Sequence, residues 1–91
     1  MALLSVSEIN HRLEKIKEWS LAADSITKKF EFSNFKEAIE FVNNLAEIAE
    51  KADHHPDIFI NYKRVTLTIS THSEGGLTEK DFNLAEKIEK I

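Results

Sequence analysis

The fold is decided by residues 53–72, which read DHHPDIFINYKRVTLTISTH. Residues 58–62 and 65–71 are rich in β-branched and aromatic side chains, and Lys63-Arg64 between them suits a two-residue turn. In the second run, hydrophobic side chains alternate with hydroxyl side chains. One face of that strand is therefore expected to be buried and the other polar. This pattern predicts a hairpin in an antiparallel sheet that helices cover on one side only.

Three of the four histidines in the chain lie at the two ends of this hairpin. Asp53-His54-His55-Pro56 leads into the first strand, and His72 ends the second. The start of the first strand and the end of the second are neighbours in an antiparallel hairpin. We therefore expect the three imidazole rings to converge at one end of the sheet.

Three interpretations of this histidine cluster are open. The first is structural, with each ring capping a helix or satisfying loop backbone, although the convergence of three rings weakens it. The second is a zinc site built from Asp53, His54 and His72, because the adjacent His54 and His55 usually cannot both reach one ion. The third is general acid–base catalysis without a metal, which uses groups on either side of a small substrate. The fourth histidine, His11, is expected to be a surface residue.

The segments before the hairpin predict a helix, two strands and a second helix. Ser5 and Glu8 have the spacing of a capping box at the start of the first helix. Residues 19–32 alternate as two short strands around Asp24-Ser25. The longest helix is predicted over residues 34–52, where Asn34 is its N-cap.

The sequence also predicts where the longest helix ends and where the last helix begins. Pro56 cannot continue a helix and disfavours helical backbone at the residue before it, so the longest helix is expected to end near Ala52 or Asp53. Thr78 and Asp81 form a second capping-box pattern before the final helix. The predicted order of elements is α-β-β-α-β-β-α in a single domain, residues 1–91.

The longest helix carries more apolar surface than one contact with a sheet requires. Its first strip contains Phe35, Ala38, Ile39, Val42, Ala46 and Ala49, and its second contains Phe41, Leu45, Ile48 and Ala52. A deeper groove within the monomer would explain the second strip. A helix-to-helix contact between subunits, through Phe41 and Ile48, would explain it equally well.

Composition excludes several classes of function. The net charge of −4 leaves no broad electrostatic footprint for nucleic acid or an anionic membrane. The chain contains no cysteine, which rules out disulfides and thiolate chemistry. The apolar N-terminus stops after four residues with no charged segment before it, and no run approaches the ~18 apolar residues of a membrane span. We expect a soluble, cytoplasmic protein with no nucleic-acid or membrane partner.

The spacing of the polar residues resembles the signature of the pterin-4a-carbinolamine dehydratases. The matching pattern is Glu50-x3-His54-His55-Pro56-x5-Tyr62-x9-His72-x8-Asp81. The similarity runs from about Trp19 to the C-terminus. The resemblance implies an α+β fold of two layers, a four-stranded antiparallel sheet with three helices on one face. It also implies homodimers or homotetramers built by sheet extension and helix packing.

The activity implied by the resemblance is dehydration of 4a-hydroxytetrahydrobiopterin to quinonoid dihydrobiopterin. That reaction recycles the cofactor of aromatic amino-acid hydroxylases. The pterin is the substrate, and the resemblance implies no further cofactor and no metal. A non-catalytic pterin-binding or protein-binding module, similar to a transcription cofactor, is the alternative on the same fold.

The resemblance also implies roles for individual residues. By matching position, His54 and His72 resemble the acid–base pair, and His55 resembles a positioning or auxiliary catalytic group. The substrate-binding candidates are Glu50 and Asp53, for the N–H edge of the pterin, and Ser70 and Thr71, through backbone or hydroxyl groups. Trp19 and Tyr62 are expected to be structural, and Asp81 is expected to serve only as a helix cap.

Overall fold

The computed structural model describes residues 2–91 as a four-stranded sheet with three helices. In chain order the elements are α1 (Val6–Leu13), β1 (Ser20–Ala22), β2 (Ser25–Glu31), α2 (Phe35–Ala52), β3 (Asp57–Asn61), β4 (Arg64–Ile69), a 3₁₀ turn (His72–Glu74) and α3 (Glu79–Ile88). The strands lie in the order β1-β2-β4-β3, and every neighbouring pair is antiparallel. The predicted α+β fold and its order of elements are confirmed.

The start of each helix is fixed by the capping residue that the sequence predicts. Ser5 and Glu8 form a full capping box, in which each backbone N–H donates to the other residue's side chain. These bonds, first the one from the Ser5 backbone, lower the pKa of Glu8. Asn34 accepts from the backbone N–H three residues later, at 2.9 Å. Thr78 and Asp81 form the second capping box, at α3.

The core lies between the sheet and the helices. Val65, Leu67 and Ile69 project from β4 toward the helices and are fully buried, while the polar residues between them lie on the opposite face. This is the alternation that the sequence predicts for a sheet covered on one side. Trp19 is also buried, and its Nε1 donates to Glu89 at 2.9 Å, so its predicted role in the core is confirmed.

Both hairpin turns lie one residue earlier than predicted. In the β3–β4 hairpin Asn61 pairs with Arg64, which leaves Tyr62-Lys63 as the turn in place of Lys63-Arg64. Tyr62 has a φ of 56°, and Ala23 in the β1–β2 turn has a φ of 55°. Neither turn contains the glycine or asparagine that usually marks a left-handed position. The register of the paired strands therefore decides these turns.

The second apolar strip of α2 packs inside the monomer. The ring of Phe41 lies 4.8 Å from that of Phe30 and 5.0 Å from that of Phe32, measured between centroids. Phe41 is buried, and Ile48 packs against the same core. These contacts support the groove within the monomer for Phe41. Ile48 is only partly buried, and the alternative of a helix-to-helix contact between subunits stays a prediction.

Part of the apolar surface that remains exposed lies at one edge of the sheet and at the start of α2. Phe35 at the start of α2 is half exposed, and Ile58, Phe59 and Ile60 of β3 are all exposed. No helix formed by residues 2–91 is long and apolar enough to cross a membrane.

Candidate active site

The histidine loop begins where α2 ends in a left-handed residue. Asp53 has φ 51° and ψ 43° and donates its backbone N–H to the Glu50 carbonyl at 3.2 Å. The backbone N–H of His54 reaches the Ala49 carbonyl at 3.2 Å, which completes a Schellman motif. Aspartate is one of the few residues other than glycine that adopts this conformation readily. Pro56 then prevents the helix from resuming.

A tight loop after β4 carries the third histidine. Thr71 and Gly76 form an isolated bridge, and the Thr71 carbonyl accepts from the backbone N–H groups of Glu74 and Gly75 at 3.0 Å each. Gly75 has a φ of 74°, which residues with a Cβ seldom adopt. His72 is the first residue of the 3₁₀ turn in this loop and is exposed.

A cleft of about 310 Å³ lies between the two segments. Its walls contain Asp53, His54, His55, Ser70, Thr71, His72, Ser73 and Lys80. The structure thus brings the three histidines together, as the hairpin geometry predicts. Ser73 and Lys80 were absent from the predicted set. Another cleft of similar volume lies beside α1, where His11 is its one histidine.

A buried carboxylate anchors His54. Nε2 of His54 lies 2.6 Å from Oδ1 of Asp81, which is inaccessible to solvent. Oδ2 of Asp81 accepts from the Thr71 hydroxyl and from the Thr78 backbone N–H, each at 2.8 Å. An ionised carboxylate is only an acceptor, so Nε2 of His54 carries the proton in this bond. In the neutral ring, Nδ1 is then unprotonated and is the nitrogen left for a ligand.

Asp81 therefore does more than the sequence predicts. One oxygen caps α3, as expected, but the other fixes the orientation and the tautomer of His54. The prediction that capping accounts fully for Asp81 is wrong, because a cap needs only one of its two oxygens. The sequence signal for this role was its place in the spaced signature, nine residues after His72.

Thr71 supports this carboxylate and has little capacity to bind a ligand. Its hydroxyl lies 2.8 Å from the hydroxyl of Thr78 and donates to Asp81. Its backbone N–H donates to the Gly76 carbonyl at 2.9 Å. The predicted contact of Thr71 with substrate through its hydroxyl or N–H is therefore unsupported, because both groups already have partners.

His55 is held in a similar way at the surface. Its Nε2 lies 2.6 Å from Oε2 of Glu50, and both side chains are more than half exposed. Glu50 does not line the cleft, whereas Asp53 does. The structure thus places Glu50 behind His55 instead of in contact with the cleft. Within residues 2–91, the His72 side chain has no hydrogen-bond partner comparable to Glu50 or Asp81.

The zinc interpretation gains no support from the arrangement of the side chains. Among residues 2–91, no three histidine or carboxylate side chains are grouped so that they could hold a metal ion. Of the proposed ligands Asp53, His54 and His72, His54 already uses Nε2 to contact Asp81. What the cleft offers is imidazole nitrogen for proton transfer, one carboxylate and one ammonium group.

Comparison with known proteins agrees with the signature. Residues 2–91 match the family model described as pterin 4 alpha carbinolamine dehydratase. A protein of Sulfolobus acidocaldarius that is provisionally named pterin-4-alpha-carbinolamine dehydratase is 52% identical over 88 residues, which cover 97% of each chain. A relative from Picosynechococcus with the same provisional name is 50% identical over 88 residues, covering 97% of this chain and 96% of the relative.

Two solved structures share the fold. The crystal structure of a transcriptional coactivator/pterin dehydratase from Brucella melitensis superposes with a TM-score of 0.93 at 40% identity, covering 97% of this chain and 96% of that one. A pterin dehydratase-like protein identified as a RuBisCO assembly factor in the alpha-carboxysome gives a TM-score of 0.65 at 20% identity, covering 79% and 83%. The second likeness shows the fold alone. From the family match and the full-length identity, the chain belongs to the pterin-4a-carbinolamine dehydratase family of hydro-lyases.

Proposed function

We propose that this protein dehydrates 4a-hydroxytetrahydrobiopterin to quinonoid dihydrobiopterin, with histidine side chains as the acid and the base. One observation carries the proposal. Imidazole rings from two segments of the chain line a single cleft, and a buried carboxylate orients one of them. Proton donors and acceptors on two walls of a cleft suit a reaction that adds one proton to the substrate and removes another.

The chemistry requires both proton transfers. The C4a–O bond of the carbinolamine breaks, and hydroxide is a poor leaving group, so an acid must protonate the departing oxygen. The N5–H proton is lost to a base, and its electron pair forms the C4a=N5 double bond. Water leaves, and the protein returns to its starting protonation state once the two groups exchange one proton with solvent.

The geometry favours His54 as the base and His72 as the acid. Neutral His54 offers an unprotonated Nδ1, because Asp81 holds the proton on Nε2. When Nδ1 takes the N5 proton, the resulting imidazolium lies 2.6 Å from the Asp81 carboxylate, which stabilises the charge. His72 is exposed on the other segment and can take up a replacement proton from solvent.

The remaining cleft residues bind and orient the pterin in this proposal. His55, oriented by Glu50, contributes its Nδ1 as a positioning or auxiliary catalytic group. Asp53 accepts hydrogen bonds from the N–H edge of the ring. Ser70 supplies a further polar contact at the end of β4.

Stopped-flow measurement of the dehydration of synthetic 4a-hydroxytetrahydropterin tests the assignment. His54→Ala and His72→Ala should each lower the rate by about 10²-fold, the usual scale for a positioned acid or base. His11→Ala is the matched control, because this exposed histidine lies outside the cleft. Rates of the two cleft variants equal to that of His11→Ala would refute the assignment.

We propose further that the protein is a homodimer or homotetramer. Support comes from β3, an edge strand with exposed Ile58, Phe59 and Ile60, and from the half-exposed Phe35 at the start of α2. An exposed apolar edge strand favours pairing with another chain. Light scattering should give a mass that is a multiple of the chain mass, and the Phe59→Lys variant should have a lower mass than the parent protein. A monomer mass for the parent protein at micromolar concentration would exclude the oligomer.

Recycling of a hydroxylase cofactor is the physiological role that we propose. In an assay that couples a pterin-dependent aromatic hydroxylase to a dihydropteridine reductase at limiting pterin, adding this protein should raise the steady rate. The non-catalytic binding module is the alternative function. Tight binding of a dihydropterin without turnover of the carbinolamine would favour that alternative.

A further inference from the structure

We propose that a recess beside the histidine cleft admits pterins whose side chain carries an anionic group, in addition to biopterin, whose dihydroxypropyl side chain is uncharged. This inference rests on the proposed dehydratase function and widens its class of substrate. The recess has a volume of about 130 Å³ and is lined by Ala52, His54, Lys80, Asn83, Leu84 and Lys87. It lies between the end of α2 and the exposed side of α3.

The recess adjoins the cleft. His54 and Lys80 line both cavities, so they form a shared wall. A pterin ring that contacts His54 in the cleft therefore lies next to the entrance of the recess. A substituent on the ring that projects past Lys80 would enter it.

The ionisable side chains of the recess are all basic. Lys80, Lys87 and His54 line it, and no carboxylate does, although the chain as a whole carries a net charge of −4. Neither lysine forms an ion pair with a carboxylate of residues 2–91, in contrast to Arg12 and Lys28. This distribution creates a local positive potential in an acidic protein.

The nearby acidic residues of α3 are directed elsewhere. Glu79 lies 2.8 Å from Arg12, and Glu86 lies 3.3 Å from the same guanidinium, on the side of α3 that faces α1. Asp81 is buried and occupied by His54. None of these three carboxylates pairs with Lys80 or Lys87, and Asp53 is the carboxylate that shares the adjoining cleft with Lys80.

The shape and chemistry of the recess suit a small anion. Lys80 and Lys87 are separated by seven residues, about 10.5 Å along a helix, so both ammonium groups can reach a group between them. Asn83 lies between them in sequence, and its Oδ1 accepts from Arg12 at 3.1 Å, which leaves its Nδ2 group as a donor. A phosphate or carboxylate on a short substituent has both the charge and the size that this arrangement selects.

Substrate comparison by stopped flow tests the inference. Three 4a-hydroxytetrahydropterins would be compared, carrying a 6-hydroxymethyl group, its phosphate ester or a 6-carboxyalkyl group. Wild-type protein should show a kcat/KM that is about two- to fivefold higher for an anionic substrate, as expected for a solvent-accessible ion pair. The preference should shrink as ionic strength rises. A larger gain for the phosphate ester or for the carboxylate identifies the anion.

Variants of the exposed lysines distinguish anion binding in the recess from an effect of the overall charge of the protein. Lys87→Gln should abolish the preference for the anion and leave kcat/KM for the neutral substrate unchanged. Lys90→Gln removes a charge near the end of the same helix but outside the recess, and should retain the preference. Two results would overturn the inference in a protein that still turns over substrate. One is an equal kcat/KM for neutral and anionic substrates in the wild type, and the other is an unaltered preference in Lys87→Gln.

A binding measurement distinguishes failure of the inference from failure of the proposed reaction. If neither 4a-hydroxytetrahydrobiopterin nor any of the three carbinolamines is turned over, the proposed function fails. The affinities of unreactive 7,8-dihydropterins with neutral and phosphorylated side chains, measured by fluorescence, still report on the recess. Tighter binding of the phosphorylated form that requires Lys87 supports it, and equal binding contradicts it.

Discussion

Replacing Asp81 with asparagine should change which nitrogen His54 presents to the substrate. In the parent protein Oδ2 of Asp81 accepts from Thr71 and Thr78, and Oδ1 faces Nε2 of His54. The asparagine oxygen can take the place of Oδ2 and keep the first two bonds. Its amide N–H then faces Nε2, which must become an acceptor. The proton of the neutral ring moves to Nδ1, so the nitrogen available to the pterin is no longer a base.

The size of the effect follows from these contacts. Hydrogen bonds to a charged group contribute about 1.5–3 kcal/mol each and neutral ones about 0.5–1.5 kcal/mol. Because asparagine re-forms all three bonds in neutral form, and each loses about 1–1.5 kcal/mol, the free energy of unfolding should fall by about 3–4 kcal/mol. A domain with the usual 5–15 kcal/mol remains folded after that loss. Dehydration should slow by about 10²- to 10⁴-fold, because a base in the wrong tautomer is lost as a base.

Two measurements check this prediction. Stopped-flow kinetics give the rate, and ¹⁵N NMR of the ring identifies the protonated nitrogen of His54. Glu79→Gln is the matched control, since it removes a carboxylate from the same first turn of α3 without contacting His54. If Asp81→Asn turned over at the rate of Glu79→Gln, or kept the proton on Nε2, the positioning role of Asp81 would be refuted.

Three further predictions follow from local geometry. Ser5→Ala should raise the pKa of Glu8 part of the way toward its ordinary value in an NMR titration, because it keeps the larger contribution, from the Ser5 backbone N–H, and removes the smaller one, from the hydroxyl. A lowered pKa contributes stability above the ordinary value that is lost as the pH falls through the lowered one, so α1 should fray in acid. An unmoved pKa of Glu8 in the variant would contradict this. Asp53→Asn keeps a residue type that tolerates a φ of 51° but removes the negative charge. The affinity for a dihydropterin, measured by calorimetry, should fall about tenfold, with little change in melting temperature. An unchanged affinity would exclude Asp53 from the substrate-binding residues. Gly75→Ala places a Cβ at φ 74° and should cost about 1 kcal/mol in urea unfolding; equal stability would show that the loop relaxes without strain.

The fold could be predicted from sequence because its strongest signals are local. Alternation in residues 65–71 indicated one buried face, and the capping residues Ser5, Asn34 and Thr78 marked the helix starts. The turn positions could not be predicted, since Tyr62 adopts a left-handed conformation without the residue type that signals it. Pairing between strands, a tertiary effect, fixed the turn.

The site was predictable in its location and less so in its contacts. A hairpin brings its two ends together whatever the side chains do, so His54, His55 and His72 could be placed at one cleft. The hydrogen bonds behind them depend on packing between α3 and the loops, which no local pattern encodes. Asp81 and Thr71 therefore received roles that the structure revises.

The coverage of α2 within the monomer depends on packing in the same way. The two strips of α2 look alike in sequence, and a helical pattern alone does not show which of their residues the sheet covers. Both strips contribute buried residues, namely Ala38, Phe41, Leu45 and Ala49. Phe30 and Phe32 pack on Phe41, while Phe35 stays half exposed.

A crystal structure of the protein with bound 7,8-dihydrobiopterin is the most direct measurement of whether the histidine cleft is the pterin site. The ring should lie between the loop of residues 53–56 and His72, with Nδ1 of His54 within hydrogen-bond distance of N5. A pterin bound instead in the cleft beside α1, around His11, with the histidine cleft empty, would contradict the proposed mechanism.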